Sequence, residues 1–469
     1  MNASLEKKVL VLLFNRFTND SRVLKECTSL VTAGYKVELW ASYAADLPEY
    51  EVINGFEVRR KFGKPAAVVI NKQAHQNMQD SSHTGGHRHR PTGSLSRRLG
   101  WGTRSVLRSG ALVLGRVAPK LHDAAKAAYI QLEEVVVKAA KGKYPAFNKL
   151  KANLAKRPSL PRWRTSATAP SAVLDFDFIH CNDLLPLPVA VAMKKRNPRI
   201  KIIYDSHEYQ TESAGLLNNP TKKQQFEQLE RDNIIHADQV ITVGDSIAKE
   251  YQRLYGLRKV HVVRNCPSLC PPRPHNEYFR EKFGLADHDL IFLYQGGLVK
   301  KVRGLEETLS CFVRLHAQGY GRHHVVFMGY GNMQADIERE ASLHSNIHFH
   351  PAIAPERIPQ VSSSADYGTI FAPNNCLSYF YSLPNKLFEY IVCGLPIVTT
   401  PLYDMRTLIQ DEGIGYTTAD FTEQSIYATL RSIDARPSQA LRDRIQALHR
   451  DKYNWNIEER ALLDIYRKA

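Results

Sequence analysis

The chain has 469 residues, of which 43% are hydrophobic and 23% charged, and this balance is typical of a globular protein with two or three domains and excludes wholesale disorder. The formal net charge is +16, but residues 59–164 hold 23 Lys or Arg against 4 Asp or Glu, which excludes a basic surface spread evenly over the protein. The longest apolar runs, such as residues 9–14, fall short of the ~18 residues that a membrane-spanning helix needs.

No apolar signal core precedes the first strand-like run, so we expect a cytoplasmic protein. The seven cysteines are odd in number and scattered, which argues against a disulfide framework. Cys266 and Cys270 form an isolated CxxxC pair, and we expect no zinc site there.

The first segment of the chain has the pattern of a βαβ unit. An apolar strand over 9–14 is followed by the polar stretch 19–21, which is suited to cap a helix. Apolar residues then recur at helical spacing as far as Gly34, and residues 35–40 form the next strand. Strand, helix and strand with short links predict a parallel sheet.

The basic segment, residues 60–170, interrupts this rhythm. His83, His87 and His89 lie among Gly, Ser and Arg, and we favour a solvated loop over a metal site. Residues 121–141 have a helical apolar face, and arginines are interleaved with apolar residues before them. Two interpretations stay open: a helix lying on an anionic membrane surface, or a helix packed on its own domain with a solvated basic face.

The alternation of strands and helices then resumes and continues to the end of the chain. The predicted fold is α/β with two Rossmann-like, doubly wound domains facing each other across a cleft. We expect an N-terminal domain over 1–265 carrying the basic insertion, and a proline-rich linker over 266–275. A C-terminal domain over 276–452 would follow, with a terminal helix over 453–469 packing back on the N-terminal domain. The cleft is the expected active site, because such domains bind ligands at the carboxyl ends of their strands.

Two stretches of the second half have chemistry suited to an anionic ligand. A strand ends at Gly296-Gly297, and three cations follow before a helix begins near Leu305, as in a diphosphate cradle. Pro384 is placed to open a second helix, on which Asn385, Lys386 and Glu389 fall on neighbouring faces. The alternative for this helix is a simple surface pair between Lys386 and Glu389.

Polar residues also follow two predicted strands of the first half, at 179–183 and 204–209. His207 and Glu208 are expected at the rim of the cleft. Asp175-Phe176-Asp177 resembles a DxD metal motif, but alternation along a strand over 176–180 explains it better, and we expect no metal.

Together these motifs resemble those of family 4 glycosyltransferases of the GT-B fold. They run in family order from Asp20-x-Arg22-Val23 and Gly34-Tyr35 through 179–183 and 204–208 to Gly296-Gly297, Arg303-Gly304, 383–390 and Gly394-Leu395-Pro396. The segment 60–170 falls outside the resemblance. The family arginine after Gly297 is Leu298 here, the first glutamate of the family E-x7-E pattern is Tyr381, and the glycine-rich loop after the first strand is replaced by residues 15–20.

The resemblance implies a nucleotide-sugar donor in the C-terminal domain and an acceptor in the N-terminal domain. It implies that His207 and Arg303 are the catalytic residues. The implied donor-binding residues are Gly297, Lys300, Lys301, Arg303, Tyr381, Pro384, Asn385, Lys386 and Glu389. The implied acceptor-side residues are Asp20, Arg22, Asp183 and Glu208.

The resulting hypothesis is a retaining glycosyltransferase that needs neither metal nor cofactor. It would move a sugar from a UDP- or GDP-linked donor to a lipid-linked or polysaccharide acceptor at the inner face of the membrane, with residues 60–170 contacting anionic lipid. The alternatives are a nucleotide-sugar epimerase of the same fold and a basic nucleic-acid-binding protein; no nucleic-acid motif is recognised, so no nucleic-acid partner is expected.

Overall fold

The structure is a computed structural model that describes residues 6–18, 20–63 and 175–469. Most of the basic segment, including the histidines at 83–89 and the expected helix over 121–141, lies outside these ranges. No helix among the described residues is both long enough and apolar enough to cross a membrane.

The first lobe is built on an eight-stranded sheet with the order β3-β4-β2-β1-β5-β6-β7-β8. All of its pairings are parallel except the antiparallel β3–β4 hairpin. The strands are β1 (Lys8–Leu12), β2 (Lys36–Ser42), β3 (Tyr50–Ile53), β4 (Phe56–Phe62), β5 (Phe178–Asn182), β6 (Lys201–Ser206), β7 (Gln239–Thr242) and β8 (His261–Val262). The helices are α1 (Ser21–Thr32), α2 (Leu187–Arg196), α3 (Pro220–Ile234) and α4 (Asp245–Tyr255).

The second lobe is built on a six-stranded, all-parallel sheet with the order β11-β10-β9-β12-β13-β14. Its strands are β9 (Leu290–Gly297), β10 (His323–Tyr330), β11 (Ile347–Pro351), β12 (Tyr367–Ile370), β13 (Ile397–Thr399) and β14 (Gly415–Thr417). Its helices are α5 (Tyr278–Phe283), α6 (Leu305–Ala317), α7 (Gln334–Leu343), α8 (Ile358–Ser362), α9 (Leu377–Phe380), α10 (Asn385–Val392), α11 (Tyr403–Glu412), α12 (Glu423–Ser432) and α13 (Gln439–Asp451).

Apolar clusters cover both faces of each sheet, as expected where helices flank parallel strands. Along β1, Val9 and Val11 belong to the cluster on one face, and Leu10 belongs with Leu12 to the cluster on the other. This explains why the strand is a continuous apolar run in the sequence. The predicted fold class of two Rossmann-like domains is confirmed.

The last helix, α14 (Trp455–Lys468), packs on the first lobe although it follows the second. Trp455 Nε1 donates to Ser29 Oγ of α1 at 3.0 Å, and Tyr466 is fully buried in the cluster that covers β1. The two lobes are therefore joined by a second crossing of the chain in addition to the segment after β8.

Candidate functional site

Two neighbouring cavities lie where the carboxyl ends of the strands of the two lobes meet. The cleft cavity, about 260 Å³, is lined from the first lobe by His207 and Glu208 and from the second by Arg303 and the start of α10. The loop cavity, about 390 Å³, is bordered by the β1–α1 loop. The two cavities share His207, Val243, Leu383 and Asn385 in their walls, so a ligand in one lies beside a ligand in the other.

The loop between β9 and α6 places Arg303 in the cleft cavity. The backbone of Gly304 is left-handed (φ 67°), and a Cβ there would lie 1.7 Å from the carbonyl oxygen of Phe371, so only glycine fits. Lys300 pairs instead with Asp336 of α7, and the Lys301 N–H donates to Glu306. Of the three cations that the sequence places in this loop, only Arg303 lines the cavity.

Lys386 is the second cation of the cleft cavity. Its side chain is half-buried, and Nζ lies 3.7 Å from the centre of the Tyr294 ring. Burial and the nearby charge of Arg303 lower the pKa of Lys386 to about 7, against the smaller opposing effect of Glu389. The surface pair considered from the sequence is wrong, since Lys386 faces the cavity and an aromatic ring.

Glu389 lies behind the wall of the cleft cavity. Gln295 Nε2 donates to its Oε2 at 2.5 Å, and Gln295 Oε1 accepts in turn from Ser362 Oγ. Burial raises the pKa of Glu389, although Gln295 and Lys386 favour its charged form. Its carboxylate is therefore held by Gln295 and does not line the cavity.

His207 follows β6, and its ring has one hydrogen-bond partner and two nearby carboxylates. Its Nε2 lies 3.0 Å from Asn182 Oδ1 and 3.5 Å from Asp205 Oδ2, and its Nδ1 lies 3.8 Å from Asp183 Oδ2. Burial lowers the pKa of His207, but the carboxylates of Asp183 and Asp205 outweigh it and raise the pKa to about 9. The imidazole is therefore protonated at neutral pH.

Arg22 belongs to a buried ion network rather than to an open surface. Its guanidinium contacts Asp205 at 2.7 Å and Glu26 at 2.9 Å and donates to the Val263 carbonyl at 2.7 Å. Burial raises the pKa of Asp205, but Arg22 and His207 reverse this and hold it well below its usual range. Asp205 lies on β6, is fully buried, and faces Arg22 instead of the cleft.

The structure brings together part of the predicted set. His207, Glu208, Arg303, Pro384, Asn385 and Lys386 line the cleft cavity, Asp20 and Arg22 line the loop cavity, and Asp183 contacts His207. Gly297, Lys300, Lys301, Tyr381 and Glu389 are in neither wall. Tyr381 packs instead against Tyr403, with ring centres 6.1 Å apart.

Tyr294, Ser378, Tyr379 and Asn265 line the cavities but were not predicted. Asn265 lies three residues after β8, the last strand of the first lobe, and this position near a strand end is the signal that could have identified it. Ser378 and Tyr379 lie on the four-residue helix α9, which has no sequence signature.

Two places in the first lobe have acidic side chains that could be considered for metal binding: the surroundings of Asp205 and the DxD-like stretch at 175–177. Glu26, Asp205 and His207 have ligand atoms within 4.8 Å of one another, but the Arg22 guanidinium already contacts both acidic side chains. Burial also raises the pKa of Glu26, which disfavours its charged, metal-binding form. Strand β5 begins at Phe178, not at Phe176 as expected, so Asp177 precedes the strand. The Asp177 carboxylate accepts a hydrogen bond from the Lys8 N–H at 2.7 Å. The DxD-like stretch thus lies at the amino ends of the strands, at the edge of the sheet opposite the cavities.

Sequence comparison agrees with this architecture. Residues 289–434 match the family model described as glycosyl transferases group 1, and residues 133–266 match the glycosyl transferase 4-like domain. The chain belongs to the GT-B glycosyltransferases. This confirms the resemblance to family 4 and favours a transferase over the epimerase and nucleic-acid-binding alternatives. The expectation that all of residues 60–170 fall outside the resemblance is wrong, since the second match begins at residue 133.

Several characterised proteins are similar to this glycosyltransferase. D-inositol 3-phosphate glycosyltransferase of Kineococcus radiotolerans is 23% identical over 256 residues, which make up 50% of this chain and only 58% of that relative. Sucrose-phosphate synthase of Thermosynechococcus elongatus superimposes with a TM-score of 0.60 at 13% identity, with 99% of each chain covered. Anabaena HepE in complex with UDP and glucose has a TM-score of 0.56 at 13% identity, covering 99% of this chain and 100% of its own. At these identities the structural matches establish the shared fold.

Proposed function

We propose that the protein transfers a sugar from a nucleoside diphosphate sugar bound in the cleft cavity to an acceptor bound in the loop cavity. The observation that carries the proposal is the convergence of Arg303 and Lys386 from the second lobe and His207 from the first on one cavity. HepE was solved with UDP and with UDP-glucose, which makes a UDP-sugar the first donor to test.

The roles of the cations in the cleft cavity follow from where negative charge develops during the reaction. When the bond from the sugar to the diphosphate breaks, negative charge develops on the leaving phosphate oxygen, and fixed cations nearby stabilise the transition state. Arg303 supplies a permanent positive charge there. Lys386 supplies a second one when it takes up a proton, and its half-buried position strengthens the interaction by reducing solvent screening.

Retention of configuration and independence of metal are part of the proposal. An inverting transfer needs a general base for the acceptor hydroxyl. His207 is unsuited to that role because its proton is held by the neighbouring carboxylates. We expect the NMR coupling constant of the product's anomeric proton to match that of the donor and the rate to survive EDTA. An inverted product or loss of activity in EDTA would contradict these two points.

The donor site is tested by ligand-induced stabilisation. UDP-, GDP-, ADP- and CMP-sugars are screened by thermal shift, since a ligand that binds only the folded state raises the melting temperature. We expect Arg303→Ala and Lys386→Ala to weaken binding by about tenfold or more, because each removes a cation that lines the cleft cavity. Arg339→Ala and Lys282→Ala, both exposed and outside the cavities, are the matched controls. An unchanged shift in both test variants would refute the assigned site.

We further propose that the acceptor is lipid-linked or a growing polysaccharide, and that residues 60–170 hold the enzyme on the inner face of an anionic membrane. The support is the excess of basic residues in this segment. Vesicles containing phosphatidylserine should retain the full chain at low salt and should release a variant lacking residues 65–169, in which β4 and β5 are kept. Equal retention of both proteins would remove the membrane part of the proposal.

A further inference from the structure

The start of α1 is the natural place in the loop cavity for an anionic group. The first N–H groups of a helix have no partner within the helix, and they attract phosphate or carboxylate. Here a side chain of the protein already fills that position. Asp20 is the N-cap of α1, and its Oδ1 accepts from the Val23 N–H at 3.2 Å.

The Asp20 carboxylate is also fixed from the loop side. Asn15 Nδ2 donates to Asp20 Oδ2 at 2.9 Å, while Asn15 Oδ1 accepts from the Phe17 N–H at 2.7 Å. Both oxygens of the carboxylate therefore have donors, and its negative charge stays at the edge of the cavity. An incoming phosphate would have to displace this carboxylate or lie against it.

The cations near the loop cavity are already matched by carboxylates or point elsewhere. Arg22 is held by Asp205, Glu26 and a carbonyl oxygen, so its donors are committed. His207 faces Asp183 and Asp205 at 3.8 and 3.5 Å. Among the described lining residues there is no further cation to pair with a phosphate.

Lys25, one turn along α1, is directed away from the cavity. Its Nζ donates to the Cys266 carbonyl and lies 4.7 Å from the centre of the Trp455 ring. The remaining wall offers neutral hydrogen-bonding groups of the kind that bind sugar hydroxyls, supplied by Asn15, Thr18, Ser21, Asn265 and Asn385.

We propose that the loop cavity binds the uncharged, hydroxyl-rich sugar end of the acceptor and discriminates against a phosphorylated one, because Asp20 occupies the anion-binding start of α1. This inference rests on the proposed function and specifies its acceptor. The donor diphosphate is not affected, since its cations line the cleft cavity on the other side of His207.

The test is a binding competition on the full chain. Saturation-transfer NMR is recorded with methyl α-glucoside, methyl α-mannoside and methyl α-galactoside, each against its 6-phosphate, with the donor site filled by UDP. We expect contacts to at least one neutral glycoside and binding of its phosphate at least about tenfold weaker. Preferred binding of the phosphates, or no binding of any neutral glycoside, would overturn the proposal.

A variant isolates the role of Asp20. Asp20→Ser keeps an N-cap oxygen but removes the charge, so α1 should remain capped. We expect the preference for the neutral sugar to shrink by about twofold to fivefold, the range of a charge at a helix terminus. Asp420→Ser, which changes an aspartate just before α12 outside both cavities, should leave the preference unchanged. An unchanged preference in Asp20→Ser would refute the mechanism.

The competition is repeated without UDP to separate the two proposals. A protein that fails to bind any nucleotide but selects the neutral glycoside contradicts only the proposed donor site. A protein that binds UDP and prefers the phosphorylated sugar contradicts only the acceptor inference.

Discussion

At the scale of single residues, Lys386 makes donor binding sensitive to pH. Its pKa of about 7 leaves it partly neutral in the free protein, and a diphosphate nearby would favour the charged form. Below pH 7 the proton is already present; above it, binding must take up a proton. We therefore expect the Kd for UDP to rise between pH 7 and 9, by up to about tenfold per pH unit, while the phosphates of UDP stay fully ionised.

Calorimetry in two buffers of different ionisation enthalpy measures this proton uptake directly. Lys386→Arg remains charged throughout this range and should bind UDP with little dependence on pH. A wild-type Kd that is constant from pH 7 to 9 would show that Lys386 does not exchange a proton with solvent on binding.

Among the contacts between elements, a carboxylate from the second lobe accepts a hydrogen bond from a side chain in the first turn of a helix of the first lobe. The N-cap of α4 is Gly244, which has no side chain, and Ser246 Oγ donates to Asp404 Oδ1 of α11 at 2.5 Å. A Cβ at Gly244 would lie 3.0 Å from Asp404 Oδ2, so the glycine leaves space for this contact. The contact links the lobes on the same side as the cavities.

Asp404→Ala should therefore cost about 0.5–1.5 kcal/mol of stability, the usual net contribution of a hydrogen bond, and weaken the contact between the lobes. We expect a lower melting temperature and a larger radius of gyration by small-angle scattering. Asp411→Ala changes an exposed residue of the same helix and is the control. Identical scattering curves for Asp404→Ala and wild type would mean that the contact does not hold the lobes together.

At the scale of the whole molecule, the C-terminal helix completes the core of the first lobe. Tyr466 is fully buried; its hydroxyl lies 2.9 Å from His180 Nδ1, and its ring centre lies 5.0 Å from that of Phe178. We expect Tyr466→Ala to lower the free energy of unfolding by about 3–5 kcal/mol and Tyr466→Phe by about 1 kcal/mol. Urea denaturation measures both. Arg467→Ala, at an exposed position, should change little, and an equally small effect of Tyr466→Ala would show that α14 is not part of the core.

Several elements are specified by side chains that are close together in the sequence. The apolar run at β1, the aspartate before α1 and the proline before α10 each specify their element through side chains only a few residues apart. The β3–β4 hairpin was missed, although Asn54-Gly55, with φ values of 46° and 87°, is a strong turn signal.

Which charged side chains remain available to a ligand depends on contacts between residues that are far apart in the sequence. Arg22 pairs with Asp205, which lies 183 positions away in the sequence, and Lys300 forms an ion pair with Asp336. The Lys386 ammonium group instead lies above the Tyr294 ring at the cavity. Such partners are brought together by the order of the strands and the packing of the lobes. Spacing along the chain does not encode them, because the free energy of a charged side chain depends on what surrounds it in space.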